Sequence, residues 1–315
     1  MPTRIILDTD IGTDIDDVYA LLLAAVSPEL ELRGVITVNN DVAMRARIAR
    51  RVLDLIGRAD VPVVCGIAES LTPGETRGWL GHEGIGMDLS GLETAFADGG
   101  GDWLEMLRTE IAAAVRDGER LTLVTIGAMT DAAAALRALE DSGRAGLAGM
   151  MSMASTFEGF GEHAAQPEHN IACDPVAAAE VLASGLPVRL VGLNVTRHTG
   201  MDRATVDRLA ALGSPAAQAV AGMHYEWFRV IGRDASCMHD PLAIAALIEP
   251  DLLTWRDVDA SLDPSTQRGR DGAVVYAQPN GPASARCRVA VGVQSEPFHA
   301  LLLDRVQRAL THITA

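Results

Sequence analysis

Residues Arg4 to Ala25, RIILDTDIGTDIDDVYALLLAA, decide how this chain folds. Ile5-Ile6-Leu7 is an apolar run of the kind a buried strand carries, and Val18 to Ala24 reads as a buried helix. Between them lie Asp8, Asp10, Asp14, Asp16 and Asp17, five aspartates within ten residues with no basic residue among them. Like charges crowded on one short loop repel, so a cation is expected there. Gly12 permits the turn that folds the carboxylates toward one point. Hard oxygen donors suit Ca²⁺ or Mg²⁺. The plainer reading is a solvated acidic turn with Asp16 as helix N-cap. It accounts for one aspartate at a helix start, but not for five between two buried elements.

Outward from this stretch, strand and helix patterns alternate. Leu32 to Val38 reads as a second strand, Val42 to Ile56 as a helix, and Val61 to Cys65 as a third strand. Such alternation makes right-handed βαβ units and a parallel sheet. The segment from Gly66 to Gly101 breaks the rhythm with glycines and Pro73, and is a candidate lid. Order resumes with a helix at Asp102–Arg116, a strand at Leu121–Ile126, and a helix at Asp131–Leu139 capped by Thr130. A strand at Leu147–Met153, a helix at Asp174–Ala183 led by Pro175, and a strand at Val188–Leu193 follow. Helices are expected at Asp202–Leu212, Pro215–Ile231, Leu242–Ile248 and Pro297–Ile313. Leu253–Leu262, Ala273–Ala277 and Cys287–Val293 read as strands of a smaller sheet. The fold class is therefore α/β and Rossmann-like: a mostly parallel central sheet flanked by helices, with a small additional β element near the C-terminus. No linker or repeat divides the chain, so residues 1–315 are expected to form a single domain.

Composition narrows the function. A hydrophobic fraction of 48% supports a large core, and with only 4% aromatic residues that core is mostly aliphatic. The net charge of −16 argues against nucleic-acid or anionic-membrane partners, which need basic patches. All 26 basic residues are arginine, which removes lysine Schiff-base chemistry and the phosphate-binding lysine of a P-loop. Cys65, Cys173, Cys237 and Cys287 lack metal or redox spacing and read as reduced thiols of a cytoplasmic protein. No apolar run is long enough to span a bilayer, and the N-terminus enters a strand without a leader.

In an open parallel sheet, ligands bind beyond the carboxyl ends of the strands. The aspartate cluster lies on that edge, as do Asn39-Asn40-Asp41, the loop after Ile126, and the loop carrying Glu168 and Asn170. Alone, Asp41 would be a helix cap, Asn170 a turn residue and Glu168 a solvated charge. Together, on four βα loops, they make a site. His239-Asp240-Pro241 adds a titratable imidazole beside a carboxylate, although Asp240 before proline also suits an N-cap.

These motifs together resemble the inosine–uridine-preferring nucleoside hydrolase family. The resemblance runs from the first strand to the last helix. It rests on the aspartate motif, on Glu168-His169-Asn170 followed by Asp174-Pro175, and on His239-Asp240-Pro241-Leu242-Ala243. It implies a Rossmann-like domain holding one Ca²⁺ that hydrolyses the N-glycosidic bond of ribonucleosides, releasing base and ribose. Asp10, Asp17, Asp240 and the carbonyl of Ile126 resemble the calcium ligands. Asp10 also resembles the general base acting on the calcium-bound water, and His239 the histidine that assists departure of the base. Asp16, Asp41, Glu168 and Asn170 resemble the residues that grip the ribose, and Glu162 stands where an asparagine commonly meets its 5′ side. Trp79, His82, Phe160, Tyr225, Trp227 and Phe228 are candidates for the base. The resemblance further implies a homodimer or homotetramer. The aspartate motif is longer than the family's common form, which leaves Asp14 without a counterpart, and Asp8 is expected to support the loop from behind. An oxocarbenium-like transition state fits a floor of carboxylates.

Two other readings compete. A haloacid-dehalogenase-like phosphatase would use Asp8 and Asp10, but its usual downstream lysine is absent. Against a calcium- or ribose-binding protein that has lost catalysis stand Asp10, Asn170, His239 and Asp240, all of which are retained.

Overall fold

The structure is a computed structural model and describes residues 1–74, 79–157, 168–272, 274–277 and 287–311. The opening stretch folds as its pattern requires. β1 (Thr3–Thr9) is followed by a tight loop and then by α1 (Asp16–Val26), in which every residue from Asp16 to Ala25 is buried. β2 (Leu30–Thr37), α2 (Val42–Leu55) and β3 (Val63–Cys65) continue on one side of β1. The chain then crosses to the other side with β4 (Leu121–Thr125), β5 (Leu147–Met153) and β6 (Val188–Val191). β7 (Gly200–Asp202) and β8 (Ala235–Cys237) form a separate antiparallel pair. β9 (Leu253–Ser261), β10 (Val275–Ala277) and β11 (Cys287–Val293) end the series.

The main sheet has the order β10-β9-β11-β6-β5-β4-β1-β2-β3. Pairing is parallel from β3 through β11, and antiparallel for β9 with β11 and for β10 with β9. The last three strands therefore extend the central sheet rather than build a smaller one of their own. The reason is non-local: Cys287–Val289 registers with Val188–Leu190, about a hundred positions earlier, which no local pattern encodes. β1 and β4 are adjacent, yet their connections run to opposite sides. This is a topological switch point, and such sheets open a crevice there beyond the strand ends.

Both faces of the sheet are covered. On one lie Leu7, Val124 and Met151 with Leu21, Leu22 and Leu23 of α1, and with the helices His239–Ile248 and Ser295–Thr311. On the other lie Ile6, Leu123 and Met150 with the helices Trp103–Arg116, Thr130–Ala138 and Pro175–Ala183. Adjacent strand residues alternate between these two cores, as the pleat demands. Thr130 does not cap its helix; its hydroxyl donates to Asp174 at 2.8 Å. The four cysteines are unbridged. Among the described residues no helix is long and apolar enough to cross a membrane.

A buried histidine fastens α1 to the strand ahead of His239. His224, on the helix Pro215–Ile231, has no solvent exposure. Its Nδ1 lies 2.9 Å from the Tyr19 hydroxyl and its Nε2 2.8 Å from the Ser236 hydroxyl. Burial, with Arg203 nearby, pushes its pKa from 6.5 to about 3. Between those two values the unfolded chain binds a proton that the folded chain refuses. The stability contributed by neutral His224 is present above pH 6.5 and lost as pH falls toward 3. The expected slope from this one group is about 1.4 kcal/mol per pH unit below 6. Urea midpoints at pH 7.5 and pH 5 for the native chain and His224→Gln measure it. The variant should lose less stability on acidification, and an equal loss in both would rule out this source.

Candidate active site

A cavity of about 390 Å³ opens at the switch point, over the ends of β1 and β4. Asp10 follows β1 directly and lines it. The Asp10 carboxylate reaches its place because residue 127 is glycine: a Cβ there would stand 2.9 Å from the Asp10 amide and 3.0 Å from its carboxylate. Asp16 and Asp17 occupy the first turn of α1, while the N-cap position is Ile15, without a side-chain cap bond. Asp240 likewise sits inside the first turn of its helix, not at the cap. None of the three is consumed by capping, so all three carboxylates remain for the cavity.

Carboxylate oxygens of Asp16, Asp17 and Asp240 lie within 4.8 Å of one another, and all three side chains are buried. The Asp240 amide donates to Asp16 at 3.1 Å, and the Thr9 hydroxyl donates to Asp17. Burial and then the neighbouring carboxylates hold Asp17 and Asp240 well above the ordinary range. Burial also raises Asp16, against the opposing pull of His239. Asp14 lines the same cavity and is raised by burial and by Asp16. Three hard, buried, mutually repelling oxygen donors fit a divalent cation of the calcium or magnesium type. Asp10 borders the cavity but stands outside this group of three, and Asp16, expected at the ribose, is within it.

The facing wall comes from β4, β5 and a short helix, His169–Cys173. The Asn170 amide nitrogen donates to the carbonyls of Ile126 at 2.9 Å and Met153 at 3.0 Å. This fixes the side chain and leaves its amide oxygen as an acceptor. Glu168 accepts from the amides of Asn170 at 2.9 Å, Ser155 at 3.0 Å and Ile171 at 3.2 Å. Burial nevertheless raises its pKa. His239 Nδ1 lies 2.6 Å from the Thr196 hydroxyl, which leaves Nε2 for the cavity. Burial pulls His239 below its ordinary value, against the opposing pull of Asp16.

Other expected contacts do not form. Asp41 is exposed and caps α2 through the Met44 amide at 2.9 Å. Asn39 and Asn40 adopt φ values of 70° and 58°, and the side chain after them leaves the cavity. Tyr225 donates to Asp207 at 2.7 Å and lies beside Arg203, away from the cavity that Trp227 lines. Two positions on a helix are about 200° apart, so both residues cannot face one pocket. His82 stands behind the wall: it stacks on Trp227 at 5.7 Å and donates from Nε2 to the Thr13 carbonyl at 2.7 Å. Asp8 is buried beside Asp131, whose carboxyl burial pushes up to about 7, and it does not line the cavity. Glu162 and Phe160 fall outside the described residues. Thr13, Leu80, Met153, His169 and Leu193 join the lining without having been expected there. Thr13 lies within the aspartate stretch, His169 within the Glu168-His169-Asn170 motif and Leu80 within the segment expected to form a lid, whereas Met153 and Leu193 carried no signal of a site.

The fold and site define an α/β protein whose buried carboxylates converge on a cavity at a sheet switch point, an arrangement that fits a hard cation. Comparison with known proteins gives the family. The model of the inosine-uridine preferring nucleoside hydrolase family matches residues 5–300. An uncharacterized protein of Schizosaccharomyces pombe is 30% identical over 97% of this chain and 99% of its own length. The pyrimidine-specific ribonucleoside hydrolase RihA of Salmonella paratyphi A is 30% identical over 98% and 99%. The structure of a purine-preferring ribonucleoside hydrolase from Gardnerella vaginalis superposes with a TM-score of 0.80 at 23% identity, covering 98% and 99% of the two chains. An inosine-guanosine nucleoside hydrolase does so with 0.78, also at 23%, over the whole of both. This chain belongs to the inosine-uridine preferring nucleoside hydrolase family, and its enzyme class is that of the ribonucleoside hydrolases.

Proposed function

We propose that the chain hydrolyses the N-glycosidic bond of ribonucleosides in a calcium-dependent reaction. The observation that carries this is the convergence of Asp16, Asp17 and Asp240 beside Asp10, opposite Glu168 and Asn170, in one cavity. Asp16, Asp17 and Asp240 would hold the ion, with Asp10 and the Ile126 carbonyl at its border. The cation would supply positive charge that acidifies a nearby water and draws in the ribose hydroxyls. Asp10 takes the proton of the attacking water. Glu168 and the Asn170 amide oxygen accept from the ribose hydroxyls and set the sugar's orientation. The carboxylate floor stabilises the positive charge that develops on the ribosyl group as the bond to the base breaks. With Thr196 donating to Nδ1, His239 presents Nε2–H to the departing base and lowers the cost of its negative charge. Leu80, Leu193 and Trp227 give that end of the cavity its apolar wall.

Release of free base from inosine, adenosine, guanosine, uridine and cytidine should stop after dialysis against a chelator and return with Ca²⁺. Turnover unaffected by chelation, or confined to phosphate esters, would overturn the proposal. The same five rates rank the bases.

A further inference from the structure

Arg45 is fully buried on the face of α2 that also carries Ile48, Ala49 and Val52. A guanidinium without solvent is costly unless its N–H groups are met. Here Nε donates to the Asn39 carbonyl at 2.8 Å. Nη1 donates to the carbonyl of Asp10, to that of Ile11 at 3.1 Å, and to the Thr13 hydroxyl at 3.2 Å; Nη2 reaches the same hydroxyl at 3.2 Å. These acceptors sit on the two loops that leave β1 and β2. The Trp79 ring covers the group, its centroid 5.5 Å from the guanidinium carbon. Thr13 is also held from its far side. Its hydroxyl donates to Glu83 at 3.2 Å and its carbonyl accepts from His82 at 2.7 Å. Glu83 in turn accepts from the amides of Leu80 at 2.8 Å and Gly81 at 2.7 Å.

We infer that Arg45 is a positioning residue that fixes the long aspartate loop in its cation-ready shape, and that Thr13 is the point where the segment 79–83 engages that loop. The loop and the first turn of α1 together run from Asp10 to Asp17, and their carboxylates must converge although they repel. A rigid planar fork bonded to three positions of the loop, Asp10, Ile11 and Thr13, opposes that repulsion without touching a carboxylate. Lysine, with a single ammonium point, cannot span the same acceptors. Leu80 lines the cavity and is part of the same bonded unit, so the clamp links the segment 79–83 of the lining to the aspartate loop.

The inference rests on the cation-dependent reading, and the experiment separates the two. Arg45→Met, Arg45→Lys and Thr13→Val are made, and their folding is checked by circular dichroism. Ca²⁺ affinity by calorimetry, kcat and KM are measured, together with amide hydrogen exchange across residues 10–17. Arg45→Met should weaken Ca²⁺ and lower kcat by about 10-fold or more each, with KM changing less. Arg45→Lys should recover only part of this, and Thr13→Val should lose about 3-fold in the same direction. Exchange at residues 10–17 should quicken in all three. Folded Arg45→Met within twofold of the native chain in affinity and kcat overturns the inference, as does Arg45→Lys indistinguishable from native. If Arg45→Met does not fold, unchanged affinity and exchange in Thr13→Val overturn it. A native chain that binds no Ca²⁺ and cleaves no riboside sinks the hydrolase proposal instead; quickened exchange in Arg45→Lys then still supports the clamp, and unchanged exchange removes it.

Discussion

Asp10→Ala should lower kcat by about 1,000-fold or more on every nucleoside, because the general base and part of the cation's border are lost together. The fold should survive. Asp10 faces the cavity rather than the core, and the loop bonds to its neighbourhood run through backbone carbonyls that alanine keeps. Asp10→Asn sharpens the test. It preserves shape and removes the basic oxygen, so its kcat should fall nearly as far while nucleoside binding changes little. Single-turnover rates with equilibrium binding separate the two effects. An Asp10→Asn enzyme retaining more than about a tenth of native kcat would move the base role to another carboxylate of the cavity, Asp14 first among them.

His239→Ala should discriminate between leaving groups. For inosine or uridine the departing base carries developing negative charge, and loss of the Nε2–H donor should cost about 100-fold or more in kcat. For a nitrophenyl riboside, whose phenolate departs without help, the loss should stay below about 10-fold. Equal losses on both would assign His239 to holding the site together rather than to assisting the leaving group. Thr196→Val provides the companion measurement. It removes the hydroxyl 2.6 Å from Nδ1, frees the ring's tautomer, and should reproduce part of the same discrimination.

Much of this site is legible before folding, because its parts sit in short motifs with strong local logic. The aspartates between two apolar runs announce a cation, and Glu168, Asn170 and His239 follow elements whose ends can be read. What was not legible is which face a residue takes when its neighbours turn the chain. Asp41 ends as a helix cap because Asn39 and Asn40 take positive φ. Of Tyr225 and Trp227, only one can reach a pocket from a single helix, and the phase is set by the buried face of that helix, which carries His224 and Phe228. Arg45 could have been noticed as a charge at an apolar-face position of an amphipathic helix. Apart from the Asn39 carbonyl just ahead of its helix, its partners lie on the loop after β1, which nothing near Arg45 in the sequence specifies.

The sequence by itself determined the β1–aspartate loop–α1 unit, the alternating βα order, and the family, since each rests on local periodicity or on motifs that hold their spacing. The tertiary structure decided which aspartates meet. Asp240 stands 224 positions from the Asp16 it bonds, and only closure of the helix His239–Ile248 onto α1 brings them together. It also decided that the last three strands join the main sheet, because strand pairing is a contact between distant segments that local composition does not specify. The five aspartates that make the chain's first signal are sorted in the same way: Asp16 and Asp17 converge with Asp240, Asp10 and Asp14 border the cavity, and Asp8 lies behind it against Asp131.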